Sequence, residues 1–72
     1  MSDRCYEIFQ VAGTSSVSIE DAINNAITHV HTTQGKIRWF EVEETRGHIE
    51  NGKVAYYQVV MRVGRSDESK QP

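Results

Sequence analysis

The chain lacks the features that usually reinforce a very small protein. It has 72 residues and one cysteine, Cys5, so no disulfide can form within a single chain. No Cys/His spacing matches a structural zinc site. Because a core of this size rarely supplies more than about 3–5 kcal/mol of stability, we expect oligomerisation to stabilise the fold.

Charge and hydropathy exclude several classes of partner. Eight Lys and Arg residues are interspersed with ten Asp and Glu residues, giving a net charge of −2 and no basic stripe for a nucleic acid backbone. No apolar run approaches the roughly 20 residues that span a bilayer. The start, Met1 to Arg4, leads into no apolar signal segment. We therefore expect a soluble, cytoplasmic protein with no nucleic acid or membrane partner.

The first half of the chain predicts one strand and one helix. Tyr6 to Ala12 is rich in β-branched and aromatic residues, and the turn-forming cluster 13–16 ends it. Ser18 and Asp21 have the spacing of a capping box, so a helix should start at Ser18 and stop at Gly35. Apolar residues at three- and four-residue steps define its buried face: Ile19, Ala22, Ile23, Ala26, Ile27 and Val30.

The second half predicts one long hairpin. Asn51-Gly52 favours a two-residue type I′ turn between strand two, Ile37 to Glu50, and strand three, which starts at Lys53. The turn sets the cross-strand pairs, and a β-bulge would exchange the two faces locally. Towards the helix we expect Phe40 opposite Val63, Val42 opposite Met61 and Glu44 opposite Val59. Away from the helix we expect Trp39 opposite Gly64, Glu41 opposite Arg62, Glu43 opposite Val60 and Thr45 opposite Gln58.

These elements predict an α+β fold with β-α-β-β topology. A right-handed crossover gives a three-stranded antiparallel sheet of order 1-3-2 against one helix. We expect a single domain over residues 1–64 and a polar, disordered tail over residues 65–72. Strand two would extend about 45 Å and the helix only about 25 Å, so the hairpin should overhang the helix and be covered by neighbouring subunits.

Trp39 is the first candidate site residue, because an outward indole leaves on the order of 200 Å² of largely apolar surface in water. Either a flat aromatic ligand stacks on it or it packs at a subunit interface. Gly64, which is expected opposite Trp39, favours the ligand over the interface, since its missing side chain leaves a flat space beside the ring. The Gln58 carboxamide could bind the imide edge of a heterocycle or be solvated. The two lie roughly 20 Å apart along the strands, so a shared ligand would need Gln58 from a second subunit across a two-fold axis.

The remaining polar residues predict no enzyme. Arg46 and Arg65 could each hold a phosphate or simply be solvated. The three histidines are not arranged to bind a metal. Glu43 and Glu44 are adjacent in a strand and should point to opposite faces, so they cannot act together as an acid and a base.

Several segments occur together in one order along the chain: Gly13-Thr14-Ser15, Ser18 to Ile23, Trp39 to Gly47, Tyr57 to Val60, and Val63-Gly64. This combination resembles the dodecin family. The resemblance implies a sheet wrapped around one helix and a hollow homododecamer. It also implies that pairs of flavins, FMN or riboflavin, lie at two-fold axes between the tryptophans of two subunits.

The resemblance implies a role for three residues in a flavin storage and sequestration protein. Trp39 would stack on the isoalloxazine and quench its excited state, Gln58 would hydrogen-bond the ring, and Arg46 would lie near the FMN phosphate. The expected register puts Arg46 on the opposite face from Trp39, so it would act across an interface. The resemblance also implies that coenzyme A binds near basic surface residues. This chain departs from the common family ending, because Gly64 is followed by Arg65-Ser66-Asp67. The alternative is a homo-oligomeric scaffold in which Trp39 only seals a subunit contact.

Overall fold

The computed structural model describes residues 5–66, which form three strands and one helix. The elements are β1 (Tyr6–Ser15), α1 (Ile19–Gln34), β2 (Ile37–Glu50) and β3 (Lys53–Ser66). The strands form one antiparallel sheet in the order β1-β3-β2. The predicted fold class, topology and strand order are confirmed.

Two boundaries differ from the sequence prediction. β1 continues past Ala12 to Ser15, and β3 continues past Gly64 to Ser66. The last strand therefore includes the first two residues of the predicted tail, whereas residues 67–72 lie outside the described part of the chain.

Both ends of α1 are capped as the sequence predicts. The Ser18 hydroxyl accepts a hydrogen bond from the Asp21 backbone N–H at 3.0 Å. The Ser15 hydroxyl donates to the Asp21 carboxylate at 2.7 Å and accepts from the Val17 N–H at 2.8 Å. At the other end Gly35 has φ 91° and its N–H bonds a carbonyl of the last turn. These bonds fix where the helix enters and leaves the sheet.

The core lies between α1 and the helix-facing side of β1 and β3. Small residues on α1 let the helix approach the sheet closely, so that a side chain at Gly13 would collide with the helix backbone. The buried apolar residues are Ala22, Ala26, Val30, Val59, Met61 and Val63, with Phe9, Val11, Ile23, Ile27 and Ile37 packed around them. Such a small core is in keeping with a protein that is stabilised by association.

The hairpin turn is the predicted type I′, since Asn51 and Gly52 both have positive φ, 55° and 76°. Glu50 pairs with Lys53 as expected. Four other predicted pairs are also confirmed: Trp39 with Gly64, Phe40 with Val63, Glu41 with Arg62 and Val42 with Met61.

A β-bulge at Glu43 makes the rest of the predicted register wrong. Besides a shift at the start of β2, between Ile37 and Trp39, the register shifts between Val42 and Glu44 and again between His48 and Ile49. Between the shifts the pairs are Glu44 with Val60, Thr45 with Val59 and Arg46 with Gln58, in place of Glu44–Val59, Glu43–Val60 and Thr45–Gln58. The unbulged register would have put the Glu44 carboxylate against buried Val59, which is costly without a partner. The extra residue puts Thr45 there instead.

The sheet extends well beyond its helix. The Cα atoms span 56 × 20 × 13 Å, and Phe40 and Val42 on the helix-facing side of β2 remain 46% and 39% exposed. Beyond the helix N-terminus the same side forms an open apolar depression of about 300 Å³, lined by Ile19, Thr45, Arg46, Gly47, Ile49, Val54 and Tyr57. The predicted overhang is present. No helix within residues 5–66 is long and apolar enough to cross a membrane.

Replacing Gly13 with alanine is expected to lower the free energy of unfolding by about 1–3 kcal/mol, because the new Cβ would lie 2.3 Å from the Ala22 carbonyl oxygen. Urea unfolding followed by circular dichroism measures this loss. Gly47→Ala is the matched control, where the nearest atom, the Tyr56 carbonyl oxygen, is 3.2 Å away. Equal losses in the two variants would contradict the packing argument.

Candidate functional site

The side of the sheet that faces away from α1 carries all three predicted site residues. We call it the outer face, and the strand pairing assigns to it Tyr6, Ile8, Gln10, Ala12 and Thr14 of β1, Trp39, Glu41, Glu44, Arg46 and His48 of β2, and Tyr56, Gln58, Val60, Arg62 and Gly64 of β3. Trp39 and Gln58 lie there as expected. The expectation that Arg46 lies on the opposite face is wrong, because the bulge at Glu43 reverses the alternation before Arg46.

The Trp39 indole lies against the backbone of Gly64. A Cβ at Gly64 would be 2.1, 2.4 and 2.4 Å from Cε2, Cζ2 and Nε1 of the indole. The nearest atom, Cε2, is bonded to the other two, and a Cβ approaching in the ring plane would meet those two first. The Cβ would therefore stand above the ring plane, so the indole meets β3 with its face rather than its edge. The space left by the missing side chain is thus taken by the indole itself, not kept for a ligand as the sequence suggested. Trp39 remains half-buried, with its outward side available to a flat group.

Tyr6 and Ile8 of β1 complete the surroundings of the indole. Ile8 pairs with Gly64 on the side away from Trp39 and is 52% exposed. The Tyr6 ring meets the indole at a centroid distance of 6.4 Å and an interplanar angle of 67°. This end of the outer face is an apolar, largely aromatic surface, which we call the aromatic end.

A charged row follows the aromatic end. The Arg62 guanidinium pairs with the Glu41 carboxylate, and its Nε lies 3.4 Å from the Glu43 carboxylate. Gln10 donates to the other oxygen of Glu43 at 2.7 Å. The hydrogen bond to Glu41, followed by the charge of that carboxylate, raises the pKa of Arg62. The row links all three strands and leaves the guanidinium balanced by two carboxylates.

Glu43 and Glu44 are both on the outer face, contrary to the expectation that they point in opposite directions. Glu43 contacts Arg62 and Gln10. Glu44 lies opposite Val60 in the strand ladder, and its carboxylate forms an ion pair with Arg46. A bulge places two consecutive residues against one partner, which allows this arrangement. Their carboxylates serve different arginines and do not form an acid and base pair.

Gln58 and Arg46 form the opposite end of the outer face, which we call the amide end. They pair directly in the β2–β3 ladder, and Thr14 pairs with Gln58 from the other side. In the next row the His48 imidazole stacks on the Tyr56 ring, with centroids 5.3 Å apart and planes 15° from parallel. Sequence reasoning missed this stack, because His48 and Tyr56 face each other only after the bulge is taken into account.

The two ends cannot hold the same small ligand within one chain. Six residues of β3 separate Gly64, beside the indole, from Gln58, which corresponds to about 20 Å of strand. A planar heterocycle is roughly half that long. A ligand that uses both Trp39 and Gln58 must therefore take them from two chains.

Arg65 is engaged in the fold. Its guanidinium donates to the carbonyl of Gln34 in the last turn of α1 at 2.8 Å and pairs with the Glu7 carboxylate. It thus caps the helix C-terminus and links it to the sheet. Within residues 5–66, no group of three or more His, Cys, Asp or Glu side chains could hold a metal ion.

Replacing Gly64 with alanine is expected to displace the indole from β3. Trp39 is the only tryptophan, so intrinsic fluorescence reports on it alone. We expect emission at longer wavelength and stronger quenching by acrylamide. Gly47→Ala, on the opposite face of the sheet, should leave the spectrum unchanged. An unaltered spectrum in Gly64→Ala would show that the ring does not depend on this contact.

Comparison with known proteins identifies the family to which this fold belongs. The Dodecin family model matches residues 5–67. A dodecin from Thermus thermophilus is 39% identical over 61 residues, which cover 85% of this chain and 88% of that protein. The structure of dodecin from Streptomyces coelicolor aligns with a TM-score of 0.86 at 41% identity, over 92% of this chain and 94% of that one. Dodecin from Streptomyces davaonensis aligns with a TM-score of 0.86 at 37% identity, over 90% and 96% of the two chains. The chain belongs to the dodecin family.

Proposed function

We propose that this protein is a flavin-binding storage and sequestration protein. FMN or riboflavin stacks on Trp39 at the two-fold axes of a homododecamer, and the stacked indole quenches the excited flavin. Family membership supports the ligand class and the assembly, and the geometry of the outer face supports the roles of individual residues.

The contact between the Trp39 indole and Gly64 carries this proposal. One face of the ring lies against the backbone of the central strand at Gly64. The other face is directed outward and the residue is only half-buried. An indole with one open face suits a planar, electron-poor heterocycle such as isoalloxazine. Stacking buries apolar surface of both rings and adds dispersion energy.

The hydrogen-bonding groups of the site come from a second subunit. Gln58 offers one acceptor and two donors, which match the imide edge of isoalloxazine. It lies about 20 Å from the indole of its own chain, whereas a two-fold axis puts the amide end of one chain over the aromatic end of its partner. Arg46 shares a row with Gln58, so a second subunit brings its guanidinium to the site together with the carboxamide. Its ion pair with Glu44 is exposed to solvent, so an FMN phosphate can replace that single partner.

Trp39 also accounts for a protective role. An indole is a good electron donor, and contact stacking allows it to quench an excited flavin before the flavin reacts with other molecules. The outer-face residues that share its row, Gly64 and Ile8, carry no acid, base or nucleophile. A binding role therefore fits this surface better than catalysis does.

Coenzyme A has less support as a ligand. The guanidinium of Arg65, the basic residue at the end of β3, is already held by Glu7 and the Gln34 carbonyl. A phosphate would have to displace both partners. The alternative function, a scaffold in which Trp39 only seals a subunit contact, requires the indole to be covered by protein and leaves Gln58 and Arg46 without a common ligand.

Titration with riboflavin or FMN tests the proposal. We expect bound flavin to lose its fluorescence in the wild-type protein, and Trp39→Ala to weaken binding by at least about fivefold, because stacking on an aromatic side chain contributes about 1–3 kcal/mol. Gel filtration of Trp39→Ala is the control. An assembly of unchanged size that no longer binds flavin places the indole in the ligand site, whereas a collapsed assembly favours the scaffold. Unchanged flavin fluorescence with the wild-type protein would refute flavin binding.

The Arg46→Gln variant tests the phosphate contact separately. We expect FMN affinity to fall by about tenfold and riboflavin affinity to be nearly unchanged, because only FMN carries the charge that the guanidinium pairs with. Lys53→Gln removes an exposed cation at the hairpin turn and serves as the control for general charge effects. Equal loss of both flavins in Arg46→Gln would argue that Arg46 supports Gln58 or the interface instead.

A further inference from the structure

We propose that Tyr6 is a positioning residue for the flavin site, and that its ring holds the Trp39 indole flat on Gly64. The inference rests on the proposed function for the ligand, but the contact between the two rings stands on the geometry of this chain. Tyr6 acts through the indole and need not touch the flavin.

Tyr6 and Trp39 lie on the two edge strands, with β3 between them. Side chains on the outer strands of a three-stranded sheet ordinarily do not meet, because the central strand carries side chains of its own on the same face. Here the central residue of the Trp39 row is Gly64, which has none. The missing side chain lets the indole lie over β3 and come within reach of Tyr6.

The geometry of the contact restrains the indole. The ring centroids are 6.4 Å apart and the planes are inclined by 67°, an edge-to-face arrangement in which the electropositive edge of one ring meets the electronegative face of the other. Gly64 blocks movement of the indole towards the sheet. Tyr6 restricts rotation of the indole away from β2 and across β1. Together the two contacts favour the orientation in which the indole lies flat on β3.

The exposure of Tyr6 supports a role beyond packing. The residue is 47% exposed in the single chain and lies outside the buried core, so the fold of one chain gains little from its ring. Its ring contacts the half-buried indole that the proposed ligand requires. By restraining the indole in the free protein, the Tyr6 ring lowers the entropy cost of ordering Trp39 when the ligand binds, and so increases the affinity of stacking.

The test compares Tyr6→Ala and Tyr6→Phe with the wild-type assembly. In flavin-free protein, the time-resolved fluorescence anisotropy of Trp39 under red-edge excitation measures the motion of the indole. We expect a larger fast component in Tyr6→Ala and a wild-type decay in Tyr6→Phe, which keeps the ring. Riboflavin affinity should fall by about three- to tenfold in Tyr6→Ala and recover in Tyr6→Phe.

Tyr56→Ala is the matched control for the anisotropy, since Tyr56 is a similarly exposed tyrosine on the outer face, 41%, that stacks on His48 instead of Trp39. It should leave the motion of the indole unchanged. Indole motion that is the same in Tyr6→Ala and wild type overturns the inference, as does a riboflavin affinity that does not fall. A wild-type protein that binds no riboflavin refutes the proposed function alone, because the anisotropy still decides whether Tyr6 restrains the indole.

Discussion

The extra residue in β2 at Glu43 determines which side chains can act together on this protein. Before the bulge, Trp39 and Glu41 are on the outer face; after it, Glu44 and Arg46 are. Without the bulge Arg46 would lie on the helix-facing side, separated from Gln58 by the sheet. Because side chains alternate along a strand, one inserted residue is enough to bring an arginine and a carboxamide into one row. The same insertion keeps the Glu44 carboxylate away from the buried apolar side of the sheet.

Much of the fold could be predicted because its signals are local. Ser18 and Gly35 cap the helix, the alanines and isoleucines of α1 show its period, and Asn51-Gly52 fixes the turn. The bulge could not be located in this way, since no turn residue or glycine stands at Glu43. The only indication was a conflict: the regular register put Glu44 on the side where Val59, Met61 and Val63 are buried. A charged residue assigned to a buried apolar face is better read as evidence for a bulge than as an exception to the pattern.

The candidate site was harder to predict than the fold, because its key contact crosses the sheet. The sequence indicated that Trp39 faces outward opposite Gly64, and the pairing confirms this. It did not indicate that the ring lies down on the glycine and reaches Tyr6, since a side-chain rotamer depends on neighbours from all three strands. The apparent space beside the ring is the place where the ring itself packs. A glycine opposite a large aromatic residue in a sheet is therefore as much a sign of where the ring lies as of where a ligand fits.

If a ligand uses both Trp39 and Gln58, as proposed, the arrangement of the outer face makes ligand binding inseparable from association. Each chain has an aromatic end and an amide end, with the charged row of Glu41, Arg62 and Glu43 between them. When two such faces meet across a two-fold axis, each aromatic end receives the amide end of the other chain, so two equivalent sites form at once or neither forms. A ligand bound only by the paired state stabilises that state by mass action. Under the proposed function, the flavin would be both the cargo of the assembly and a contributor to its stability, which is an advantage for a chain whose own core is so small.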